Sequence, residues 1–253
     1  MDAIAQVQPA IEIRRASFRR NGRALVQSLS LSVSPGETLV LLGRSGSGKT
    51  TTLRLINRLL EPTAGEVRVN GTLTTEWDPI QLRRKIGYVI QDGGLFPHFT
   101  VERNIALVPE IEKWPQQRTR ARVLELLALV GLPTDLLSRY PAQLSGGQRQ
   151  RVGVARALAA DPPILLLDEA FGALDPITRS EMQKEFRALQ QRMKKAAIFV
   201  THDLREALLL GDRIALMEEG RLIVDLPTGE FVGSQVPLVR AYREAFSEAE
   251  PRC

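Results

Sequence analysis

The stretch Gly43-Arg44-Ser45-Gly46-Ser47-Gly48-Lys49-Thr50-Thr51 constrains this chain more than any other. It follows the apolar run Thr38 to Leu42 and precedes Leu53, Leu55 and Ile56, which line one helix face. A strand, a glycine-rich turn and a helix in that order aim successive backbone N–H groups, and the positive end of the helix, at one anion. The pattern G-x-x-x-x-G-K-[ST] in that setting reads as a phosphate loop. Lys49 then sits on the β- and γ-phosphates of a nucleotide, and the Thr50 hydroxyl ligates Mg²⁺.

The remaining apolar runs agree with such a frame. Thr38 to Leu42, Ile86 to Ile90, Ile164 to Leu167, Ala197 to Val200 and Arg213 to Met217 read as strands covered on both faces, alternating with helical patterns. The fold class is therefore α/β, with a mainly parallel sheet. Nearer the N-terminus, Ile11 to Phe18, Gln27 to Val33 and Glu66 to Val69 are separated by turns at Asn21-Gly22, Pro35-Gly36 and Asn70-Gly71, which predicts a small antiparallel β layer. From about 92 to 143 the pattern turns helical. Val123, Leu126, Leu127 and Val130 share one face, and Gly131 is placed to end that helix. We expect a nucleotide-binding domain over 1–230 with this helical insertion, and a polar amphipathic tail helix within 231–253.

Composition matters here for what it excludes. With 43% hydrophobic and 25% charged residues the chain has the balance of a protein folded throughout. The net charge of +5 is dispersed, with small groups only at Arg14-Arg15 and Arg83-Arg84-Lys85, so a nucleic-acid partner is not expected. The one cysteine, Cys253, leaves no internal disulfide or thiolate metal site and suits a reducing compartment. The N-terminal residues lack the pattern of a secretion signal, and no apolar stretch approaches the ~18 residues of a membrane span. We expect a chain that neither crosses a membrane nor is exported.

A second cluster of chemistry follows. Ile164-Leu165-Leu166-Leu167 runs into Asp168-Glu169, two carboxylates at the end of a parallel strand, where ligands of such sheets bind. Asp168 is placed to hold Mg²⁺ directly or through water. Glu169, not needed by the metal, is free to orient and deprotonate an attacking water. In Leu144-Ser145-Gly146-Gly147-Gln148-Arg149-Gln150-Arg151, Ser145 and Gln148 form a capping box for a helix over Arg149 to Ala160. The two glycines also leave bare amides at that helix start, a second anion site. One nucleotide does not need two phosphate cradles on one polypeptide. Two copies arranged head to tail do, with each ATP between one chain's Gly43 loop and the other's Ser145 segment.

In this order the motifs resemble the ABC ATPase family: GRSGSGKT, Gln91 at the start of the helical insertion, LSGGQ, ILLLDE, the Ala173-Leu174-Asp175 loop and His202 in VTHD. The likeness covers nearly the whole chain. It implies a P-loop NTPase fold of the RecA-like type and ATP hydrolysis with Mg²⁺. Carried over residue by residue, it places ATP on Gly43, Arg44, Ser45, Gly46, Ser47, Gly48, Lys49, Thr50 and Thr51, and on Ser145, Gly146, Gly147 and Gln148 across the dimer. Asp175 joins that set through its place at the dimer interface. Metal contacts fall to Thr50, Gln91 and Asp168, and catalysis to Glu169, Gln91 and His202, the last at the γ-phosphate. Taken singly, Gln91 and Asp175 also read as surface residues, and His202 as a helix cap.

The chain departs from the family pattern at two points. Where an aromatic usually stacks on adenine, alignment of Ala16-Ser17-Phe18-Arg19-Arg20-Asn21-Gly22 places Arg20, so either its guanidinium stacks on the base or Phe18 substitutes. Ala170 stands where a proline is usual, with little expected effect on catalysis.

QDGGLFPHFTVERNIALV, Gln91 to Val108, resembles importers, in which this surface receives a short coupling helix from a membrane subunit. Leu95, Phe96, Pro97 and Phe99 form the apolar cluster there, unless Phe96 packs inward. The stretches Ile80 to Gln91, Ile105 to Pro109, Ala159 to Pro163 and Phe171 to Arg179 look like the quaternary-amine, or osmoprotectant, importers of glycine betaine, choline and carnitine. The resemblance implies a second copy of this chain, transmembrane permease subunits and, indirectly, an extracytoplasmic substrate-binding protein as partners. It implies a peripheral place on the cytoplasmic face of the inner membrane. Gating through C-terminal CBS modules is not expected of a chain ending at Cys253. An importer of another solute, such as an amino acid or methionine, an exporter motor, and a soluble ABC protein acting on ribosomes or DNA are the alternative readings.

Overall fold

The computed structural model describes residues 8–90, 94–172 and 174–248; Gln91, Ala173 and Cys253 lie outside them. The chain divides into two compact units, Met1–Pro79 with Lys194–Cys253, and Ile80–Met193. Elements are numbered along the whole chain.

In the first unit, β1 (Ile11–Arg20) and β2 (Arg23–Val33) form a hairpin, and β4 (Ala64–Val69) and β5 (Thr72–Leu73) extend it into a four-stranded antiparallel sheet in the order β2-β1-β4-β5. The connecting residues have the left-handed geometry that a two-residue hairpin turn needs: Asn21 and Gly22 at φ 50° and 78°, Asn70 and Gly71 at 49° and 78°. This is the antiparallel layer expected from the sequence. Its register slips between Ile13 and Phe18, with Arg15 at φ 46° and Ser28 at φ 47°; these bulges bend the hairpin.

The same unit carries β3 (Thr38–Leu42), paired in parallel with β8 (Ala196–Thr201) on one side and β9 (Arg213–Glu218) on the other. Every residue of β3 and β8 is buried, which explains runs of apolar residues with no alternation. Asp212 accepts a hydrogen bond from the Thr38 amide at 2.8 Å, and Arg213 binds both Glu37 and Asp225, so the entry to this sheet is tied by charge. α1 (Lys49–Ile56) follows β3 through the glycine loop. α7 (Leu204–Leu210) follows β8, β10 (Arg221–Pro227) pairs antiparallel with β9, and α8 (Thr228–Phe231) and α9 (Pro237–Glu248) close the described chain. The Glu219-Gly220 turn into β10, at φ 48° and 80°, makes a further hairpin beyond those expected from the sequence.

In the second unit, β6 (Ile86–Val89) and β7 (Ile164–Asp168) pair in parallel. Around them lie α2 (Pro79–Arg84), α3 (Val101–Ile111), α4 (Gln116–Leu129), α5 (Gly146–Leu158) and α6 (Pro176–Met193). Val123, Leu126, Leu127 and Val130 are buried as the periodicity requires, and Gly131, at φ 62°, follows the end of α4.

Candidate functional site

In the first unit, the loop from Gly43 to Gly48 wraps its own lysine. Lys49 is 4% exposed, and its Nζ donates to the carbonyls of Gly43 at 2.7 Å and Arg44 at 2.9 Å, with Ser47 Oγ at 3.5 Å. These three acceptors are uncharged oxygens of the loop itself. Glycine is required at two places by close approach. A Cβ on Gly43 would lie 2.4 Å from the Met217 carbonyl oxygen, and one on Gly48, itself at φ 100°, would lie 2.5 Å from that of Leu25. No side chain caps α1 at Gly48, which has the left-handed conformation, and a helix N-terminus entered through a glycine loop fits a phosphate group. Thr50 and Thr51 are half-buried on the first turn of α1.

His202 stands exposed immediately after β8. It is not the cap of the following helix: Asp203 accepts from the amides of Arg205 at 2.7 Å and Glu206 at 3.4 Å. Arg20 ends β1, exposed and opposite Arg23. Phe18 is only 9% exposed, in the core of the antiparallel layer, and so does not offer a ring face to a base.

In the second unit, Asp168 ends β7 and is 8% exposed, accepting from the Tyr88 hydroxyl at 3.3 Å. Glu169 follows at φ 47°, a left-handed conformation that costs a glutamate about 1 kcal/mol. The turn lifts Glu169 out of the strand's alternation directly beside Asp168, a feature with no signal in the residue pattern. Ala170 is fully buried. Among the described residues no group of three or more His, Cys, Asp or Glu side chains is arranged to hold a metal.

The Ser145 capping box is present in full. The Gln148 amide donates to Ser145 Oγ at 3.2 Å, and Gln148 Oε1 accepts from the Ser145 amide at 2.9 Å. The Gln148 side chain is thereby engaged within its own helix, while Gly146 and Gly147 are half-exposed beside it. A Cβ on Gly147 would lie 2.9 Å from Thr178 Cγ2, so this segment and the start of α6 pack closely. Asp175 caps that start, accepting from the Thr178 amide at 3.1 Å; hydrogen bonding from the Thr178 side chain, and then from its amide, holds the carboxyl below the usual range. Gln91 is outside the described residues.

The apolar cluster of the insertion faces outward at Phe96, which is 41% exposed. The backbone there is held by Asn104, fully buried on α3. Its Oδ1 accepts from the Phe96 amide at 2.9 Å, and its Nδ2 donates to the carbonyls of Phe96, Phe99 and Thr100 at 3.2, 3.0 and 3.0 Å. One amide side chain thus fixes the backbone of this loop. Replacing Asn104 by Ala strands several buried backbone groups and is expected to cost about 2–3 kcal/mol. The thermal unfolding midpoint should fall by roughly 5 °C or more, which differential scanning calorimetry would register. Beside Phe96 lies a groove of about 390 Å³ lined by Ile80, Tyr88, Leu107, Ile111 and Arg156. Arg156, on α5, donates to the Gly94 carbonyl at 2.9 Å and lies 5.7 Å from the Phe96 ring centroid.

Residues 26–172 match the model of the ABC transporter family. The chain is 52% identical over 81% of its length to the glycine betaine/carnitine/choline transport ATP-binding protein OpuCA of Bacillus subtilis, covering 54% of that protein. It is 48% identical over 84% of its length to the glycine betaine uptake system ATP-binding protein YehX of Escherichia coli, covering 69% of it. The chain spans about half the length of the first curated relatives it matches. Among solved structures, the ATP-binding cassette MJ0796, in a dimeric post-hydrolysis state bound to ADP and Pi, superposes with a TM-score of 0.77 at 33% identity, over 86% of this chain and 98% of that one.

Proposed function

The chain belongs to the ABC transporter family, and on that premise we propose that it is the ATP-hydrolysing subunit of an importer for a quaternary-amine osmoprotectant such as glycine betaine, choline or carnitine. The observation that carries the ATPase reading is the glycine loop closed around Lys49, at the start of α1, with the lysine Nζ donating to the Gly43 and Arg44 carbonyls. The solute class rests on relatives whose names state it.

In this reading two chains close head to tail on two ATP molecules. The Gly43 to Thr51 loop of one chain and the Ser145, Gly146, Gly147 and Gln148 segment of the other grip each triphosphate, with Asp175 at the seam. Thr50, Asp168 and Gln91 would hold Mg²⁺, which supplies charge neutralisation between the β- and γ-phosphates. Glu169 takes a proton from water as the water oxygen bonds to the γ-phosphorus and the bond to the β-phosphate oxygen breaks. Lys49 and the loop amides stabilise the charge left on ADP, and inorganic phosphate departs. His202 and Gln91 line the γ-phosphate side.

The partners proposed are permease subunits, met through the groove beside Phe96, and, through them, an extracytoplasmic binding protein. A peripheral position on the cytoplasmic face of the inner membrane follows from that assembly. Among the described residues no helix is long and apolar enough to cross a membrane.

Replacing Lys49 by Ala removes a charge-assisted contact to phosphate and is expected to weaken ATP binding by about 10- to 100-fold. Isothermal titration calorimetry measures this directly, and unchanged affinity would remove the loop from the nucleotide site.

A further inference from the structure

The phosphate loop forms one wall of a cleft of about 510 Å³ within the first unit, a size suited to a nucleotide. Across from Arg44 and Gly46 the walls are Leu25 of β2, Glu218 at the end of β9, and Leu238 and Tyr242 of α9. Of the two residues that sequence alignment offered for the base, Phe18 is core, and Arg20, exposed at the end of β1, does not line this cleft. Phe199 and Phe231 are buried as well, and the Phe246 ring is covered by the Arg205 guanidinium at 4.7 Å. Among the described residues, Tyr242 is the aromatic that lines the cleft.

Its placement is fixed by the helix that bears it. Val239 is buried, Phe246 lies under Arg205 of α7, and Arg243 donates to the Val232 carbonyl. With α9 anchored on these three sides, position 242 faces the loop. Burial raises the phenol's pKa above its ordinary value, with Arg44 and Glu218 acting in opposite directions, so the ring is neutral at physiological pH and adds no negative charge beside a triphosphate.

We propose that Tyr242 supplies the stacking face for the base of the bound nucleotide, with Leu25 and Leu238 completing an apolar slot continuous with the phosphate loop. This rests on the nucleotide-binding reading of that loop and adds to it a specificity residue drawn from the C-terminal helix. Stacking acts on the base alone, so the test compares ATP with inorganic tripolyphosphate, which has the same anionic chain and no ring. Replacing Tyr242 by Ala should weaken ATP binding about tenfold and leave tripolyphosphate binding unchanged, while Tyr242→Phe keeps wild-type affinity for both. Wild-type ATP affinity in the Tyr242→Ala protein, or an equal loss for both ligands, would overturn the proposal. Lys49→Ala serves as the internal reference, because it should weaken both ligands together. If it weakens neither, the loop reading fails irrespective of what Tyr242 does.

Discussion

Replacing Glu169 by Gln is expected to lower ATP turnover by about 10²- to 10⁴-fold while ATP still binds. The amide keeps the size and hydrogen-bonding reach of the carboxylate but is no base, so the proton of the attacking water has nowhere to go. ATP then persists in the clamp, and the protein should elute as a dimer on size exclusion in ATP and Mg²⁺. The backbone at this residue offers a second arm. Glu169 holds φ 47°, so Gly at this position relieves the left-handed conformation and should stabilise the fold by about 1 kcal/mol while still abolishing turnover. A stability gain paired with lost activity is the outcome of a residue held in place for chemistry. Normal turnover in Glu169→Gln would take Glu169 out of its role.

Sequence and structure agree where the determining physics is local. The glycine loop was legible because Lys49 bonds back to the Gly43 and Arg44 carbonyls within a few residues, though the contacts that demand glycine at 43 and 48 come from Met217 and Leu25; the Asn21-Gly22 and Asn70-Gly71 turns were legible because two adjacent left-handed residues declare a hairpin. The Ser145 box was legible because its donors and acceptors are three residues apart. What stayed hidden depends on partners far along the chain. Phe18 remained open as a base platform until its position in the β1–β2 layer showed it buried. Asp203 rather than His202 caps α7, since only the observed backbone angles choose between neighbours. Asn104 is polar on an otherwise amphipathic helix, and its four contacts to the Phe96–Thr100 loop had no mark in periodicity. Tyr242 reaches a loop nearly two hundred residues upstream, a juxtaposition that no local pattern encodes.

The trans arrangement makes the sharpest demand on the chain, through Ser145. Replacing it by Arg puts a long cation where the bare amides of Gly146 and Gly147 would meet a γ-phosphate, and ATPase activity should fall by about 10²- to 10³-fold. Loss of the cap alone accounts for only about 1 kcal/mol of stability, and Ser145→Ala isolates that share. Mixing then separates the geometries. In a dimer of one Lys49→Ala chain and one Ser145→Arg chain, a site made from loop and segment of the same polypeptide is damaged in both chains, and neither holds nucleotide. A site made across the pair instead gathers both lesions on one side and leaves the other whole. Roughly one occluded ATP per mixed dimer, with none in either parent homodimer, is the expected result from two half-clamps on each chain. Occlusion that stays absent in the mixture would mean that loop and segment act within one polypeptide, and the paired clamp would have to be abandoned.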